Sequence, residues 1–148
     1  MSANDLREYI GSLIRDNPER TAELSRSLGL PASRAALASA FSAAVDRKFG
    51  PYAGKEEIAE FVRTMREKYV APDAIHPMMA ESILRAALSE GESLDEFPRG
   101  DLVRGQVLIL YSIAQDLRFE RESLESFLDE AEDLAREWLA AHGSSNER

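Results

Sequence analysis

Glu122, Glu125, Asp129, Glu130, Glu132, Asp133 and Glu137 crowd together near the C-terminal end of the chain. Carboxylates at this density can hold a cation, exchange protons, or meet a basic partner. Metal binding in a helical bundle calls for inward carboxylates with a Glu-x-x-His step, and neither His76 nor His142 has Glu three residues before it. There is no His-Glu-x-x-His and no calcium loop of alternating acids around a glycine, and the chain has no cysteine. No metal or cofactor is expected. His76 precedes Pro77, outside helical backbone, and reads as a surface or capping residue. His142, in the last turn of a helix, suits the dipole there. Without a Gly-x-Ser-x-Gly elbow or a glycine-rich loop closed by Lys-Ser/Thr, no catalytic residue is assigned. An enzyme of dispersed carboxylates is the most distant reading.

Proton exchange and metal being unsupported, docking remains. Glu125, Asp129 and Asp133 follow one another at four-residue spacing, so neighbours repel by roughly 0.2–0.5 kcal/mol in an isolated helix. A basic partner facing Glu125, Asp129, Glu132 and Asp133 would relieve that repulsion. The plainer reading is a solvated face, with Glu132 and Arg136 as one compensating pair.

A second chemistry is carried by Thr21 to Leu37, Thr-Ala-Glu-Leu-Ser-Arg-Ser-Leu-Gly-Leu-Pro-Ala-Ser-Arg-Ala-Ala-Leu. The stretch resembles the helix-turn-helix unit of bacterial transcription regulators: small Ser25 lets two helices cross, Gly29 supplies the turn, and Ala35 packs the second helix on the first. The resemblance implies that Ser33 and Arg34 face base edges in a major groove, with Arg20 and Arg26 near phosphates. Against DNA stand the alanines where a reader carries Arg, Asn or Gln, and a net charge of −9. Two helices joined by Leu-Gly-Leu-Pro are also ordinary bundle packing.

The elements that must position these residues follow from periodicity. Apolar residues return at three- and four-residue steps almost throughout, without strand-like alternation, so Pro and Gly mark helix ends. Seven helices are predicted, over about 5–16, 18–28, 32–49, 55–69, 77–90, 101–117 and 122–142. Asn4 and Asn17 are candidate caps, Gly91 closes the fifth helix, 92–100 is the longest connection, and 143–148 is a disordered tail. Apolar residues cover nearly all of the sixth helix, which should therefore be buried on most sides. Met65, Met78 and Met79 read as core or as an adaptable groove, and Trp138 as core. Arg99-Gly100-Asp101, an adhesion tripeptide by letter, reads as a helix start.

Composition bounds the rest. A chain of 148 residues can bury roughly 70% of its unfolded surface, enough for one core without staples. Residues 1–50 hold seven Lys/Arg against six Asp/Glu, and 51–148 hold eleven against twenty-one, so the acid belongs to the C-terminal two-thirds. The absence of cysteine, of a leader-like start and of roughly 18 consecutive apolar residues reads as cytoplasmic, with no membrane. The expected fold is all-α, a compact bundle of six to seven helices with a central hydrophobic helix near 101–117. One domain is expected, with a cap of residues 1–50 on a main bundle of 51–142, in which the fourth, fifth and seventh helices surround the sixth. The expected function is that of a non-enzymatic helical module, bacterial in composition, binding another protein or itself as a homodimer. The alternative is a DNA-binding regulator.

Overall fold

The computed structural model describes residues 3–15, 17–51, 53–88 and 94–143, and among them all regular structure is helical. Seven helices run in order: α1 (Ala3–Ile14), α2 (Pro18–Leu28), α3 (Leu30–Phe49), α4 (Lys55–Lys68), α5 (Pro77–Leu88), α6 (Arg99–Leu117) and α7 (Arg121–Gly143). The all-α expectation is met. Asp16, Gly91, residues 92–93 and the tail 144–148 lie outside the described residues, as do the side chains of Asn4 and His142.

Local chemistry explains the boundaries. Asn17 caps α2 by accepting the Arg20 backbone N–H at 3.2 Å, with Pro18 at the first helical position, where no N–H is needed. Gly29 ends α2 at φ 88°, a left-handed value that a side chain resists, and its carbonyl already accepts the Ser33 N–H at 3.0 Å. So α3 starts at Leu30, two residues before the expected point, because Pro31 suits a first turn.

Packing groups the chain into two compact units, Met1–Ala43 with Phe119–Arg148, and Ala44–Arg118, the division falling inside α3. In the first, α1 packs on both α2 and α7. Leu6, Ile10, Leu13, Leu24, Phe127, Leu128 and Ala131 are buried, and the Phe119 and Phe127 rings stack at 4.9 Å. The buried Ser12 hydroxyl donates to the Tyr9 carbonyl at 2.7 Å and lies 2.7 Å from the Thr21 hydroxyl, joining α1 to α2. The apolar stripe of α7 meets α1, where burying each large side chain contributes roughly 1.5–3 kcal/mol, more than any surface ion pair.

Between Ala32 and Val45 only Arg34, Ala38 and Ser42, four residues apart, are exposed. A helix so enclosed is unexpected from its sequence, because alanines pack closely while adding little to a hydrophobic pattern.

In the second unit, α5 packs on both α4 and α6. Ile58, Phe61, Val62, Met65, Ile83, Leu84, Ile109, Leu110 and Ile113 are buried, and Phe49 meets Phe61 edge to face at 5.5 Å. On α6 burial is concentrated from Gly105 to Ala114, while Val103 is exposed. Gly105 is where the helices come closest: a Cβ there would lie 2.7 Å from Ile83 Cδ1 and 3.1 Å from Ile75 Cδ1.

Candidate functional site

The acidic face of α7 meets its basic partner inside its own unit. Arg7, on α1, donates to Asp129 at 2.8 Å, to Glu132 at 3.4 Å, and to Glu125. Arg136 adds a second cation on Glu132 at 2.6 Å, the i,i+4 pair expected from sequence. The Asp129 hydrogen bond raises the Arg7 pKa above its ordinary value; desolvation opposes the shift, and Glu125 reinforces it. Of the four proposed docking carboxylates, only Asp133 is an exposed acid for which these contacts play no part. Three acids against two arginines leave this cluster close to neutral.

The α2–α3 pair places the four residues of the DNA reading differently. Ser33 is 5% exposed, donates to the Gly29 carbonyl at 2.8 Å, and lies 3.1 Å from the Ser25 hydroxyl. It fills the helix crossing, so it has no open face for a base edge. Arg20 is bound to Glu8 and Glu23, which cancel its attraction for a phosphate. Arg26 and Arg34 are exposed.

A different surface emerges in the second unit. The turn before α5, the first turns of α5, the approach to α6 and its first turns enclose a half-open groove of about 540 Å³. Its floor and walls are apolar: Ile75 is buried, Met79 and Phe97 half-buried, and Met78 is 69% exposed. Asp73, Glu96, Asp101 and Arg104, all exposed, stand around it, three acids to one base.

Local structure fixes this lining. The His76 carbonyl accepts the Ala80 N–H at 3.1 Å and its Nδ1 accepts the Met78 N–H at 3.1 Å, so His76 caps α5 as an asparagine would. Pro98, extended at ψ 141°, opens α6. Ser82 accepts a hydrogen bond from Arg85 at 3.2 Å. His76 and Ser82 of the lining thus already hold structural contacts. The arrangement can bury an apolar side chain and attract a cation beside it.

Elsewhere in this unit Lys48 is bound to Asp116, which accepts the Tyr69 hydroxyl at 3.0 Å, while the Lys48 ammonium lies 5.7 Å from the Phe61 ring centre. Burial pushes the Asp116 pKa up, but the hydrogen bonds from Lys48 and Tyr69 outweigh it and hold the carboxyl below its usual range. This cluster ties the ends of α3, α4 and α6 together. Among the described residues no three His, Asp or Glu side chains are arranged to hold a metal ion, and no helix is long and apolar enough to cross a membrane.

Comparison with protein families, with curated proteins and with solved structures found no match to this chain. The sequence marks part of the groove, since Met78 and Met79 are groove candidates, but it marks Met65 equally, which is 0% exposed in the core. Arg104 and Phe97 carry no signal of their own in the sequence, and Asp73 reads only as part of the turn before the fifth helix. A glycine in the middle of an otherwise apolar helix, Gly105, was the available signal of a close helix approach beside a hollow. Trp138, read as core, is 39% exposed on α7.

Proposed function

We propose that this chain is a non-enzymatic protein-interaction module that seats a segment of another protein, rather than a small substrate, in the groove between α5 and α6. The observation that carries the reading is Met78, a flexible apolar side chain 69% exposed at the mouth of an apolar hollow. Thioether side chains adapt to irregular surfaces, and apolar hollows with polar rims mark binding sites. The buried Ser33 and the paired Arg20 make duplex DNA the weaker partner.

Photo-cross-linking tests it. A benzophenone amino acid replacing Met78 is expected to trap one defined protein in cells, identifiable by mass spectrometry. The same group replacing the exposed Ala87 of α5, outside the groove lining, serves as control. Equal, diffuse labelling at the two positions counts against the proposal.

A further inference from the structure

We infer that the segment the groove accepts is an amphipathic helix whose apolar anchors are flanked by lysine or arginine; this rests on the interaction reading above. Charge selects the flanks. Asp73, Glu96 and Asp101 face one Arg104 around the hollow, and the whole chain carries −9. A second copy would bring another −9 against this one, whereas a basic segment is drawn in and held by the rim. Backbone satisfaction selects the conformation. The groove is built from helices and the turns that lead into them, so it offers no sheet edge to an extended strand. A helical ligand brings its backbone bonds with it and needs only side-chain contact. The Met78, Met79 and Phe97 surface then takes residues at i, i+3 or i+4 of that ligand, adapting to their shapes.

The experiment uses the intact chain with isotope-labelled methionine methyls and three amidated peptides. The first is a Leu/Lys amphipathic helix, the second its Leu/Glu counterpart, and the third a Ser/Lys peptide of equal charge. The Leu/Lys helix is expected to shift the Met78 and Met79 methyl signals, to leave the buried Met65 signal unmoved, and to bind more weakly as salt rises. Asp73→Asn and Asp101→Asn should each weaken it roughly three-fold, and Asp133→Asn on α7 should not. The unmoved Met65 signal also certifies that each variant is folded.

Equal binding of the Leu/Glu helix, equal binding of the Ser/Lys peptide, or indifference to Asp73→Asn and Asp101→Asn overturns the inference. So does a concentration-dependent dimer by light scattering that Met78→Glu abolishes, since the occupant is then a second copy. The two proposals fail separately. A defined cross-link at position 78 with no Leu/Lys response leaves the interaction reading standing and removes the basic helix. A Leu/Lys response without a cellular cross-link does the reverse.

Discussion

The last helix and the groove between α5 and α6 both gather acid, but the acid faces different things. On α7, Glu125, Asp129 and Glu132 converge on Arg7, and Arg136 adds a second cation, so three carboxylates of the acidic run form a clasp within one unit that is left with a single net negative charge. Around the groove, Asp73, Glu96 and Asp101 border apolar side chains and a single arginine. Charge at one place is an internal contact, and at the other, on the proposed reading, a selector for what comes from outside. What distinguishes them is the neighbouring surface, a guanidinium in one case and an exposed methionine in the other.

The strongest way to break the comparison is to fill the hollow. Gly105→Leu places a branched side chain where even a Cβ would lie 2.7 Å from Ile83, and overpacking of this kind costs about 1–3 kcal/mol. Urea unfolding should show a loss near the top of that range. Any folded fraction should give no Met78 methyl response to the Leu/Lys helix. A variant with unchanged stability and full binding would mean that α5 and α6 do not close on Gly105.

Next in size is the clasp. Arg7→Ala takes from three carboxylates the guanidinium they share, with an expected loss of about 1–1.5 kcal/mol, since a network on one cation exceeds a single exposed pair even though two of its three contacts are solvent-exposed. Adding Asp129→Asn and Glu125→Gln to Arg7→Ala should recover about half of it, and salt should stabilise the single variant more than the parent. If Arg7→Ala proves neutral, the acidic face of α7 returns as a free docking surface and the contrast with the groove collapses.

Much of the molecule was legible before its structure. Asn17-Pro18, Gly29 and Pro77 are local instructions, and each marks a boundary within two residues because capping and backbone freedom need no distant partner. Other features depend on contacts between residues far apart in sequence. Arg7 and Asp129 are 122 positions apart, so the strain among the acids of α7 was readable while its relief was not. The enclosure of α3 was hidden because Ala35, Ala36, Ala40 and Ala44 signal close packing only once a neighbour is present. Met65 and Met78 are the same residue type at helical spacing, and only the surrounding helices decide which is core and which lines a groove.

Asp116 supplies a smaller effect and a pH signature for the second unit. Its folded pKa lies below the ordinary value, so its contribution is present above about pH 4 and is lost as pH falls through the folded pKa. Asp116→Asn should cost about 1 kcal/mol at neutral pH and less at pH values near 3, narrowing the gap to the parent in acid. A gap that widens in acid would contradict the ion pair with Lys48. Clasp and tie then differ in kind: Arg7 keeps its charge throughout this range, and the Asp116 comparison isolates one carboxylate.

The smallest effect on stability separates folding from binding most sharply. Met78 is 69% exposed, so Met78→Ser removes little buried surface and should change unfolding by less than about 0.5 kcal/mol. At the groove the same substitution deletes the apolar contact nearest the mouth, and Leu/Lys helix binding should weaken roughly five- to ten-fold, as loss of an apolar interface contact does. Asp133→Asn is its counterpart on α7, equally harmless to folding and expected to leave binding unchanged. If the two variants bind alike, position 78 is merely an exposed methionine. If they part while their unfolding curves coincide, the affinity comes from the groove mouth and owes nothing to the acid of α7.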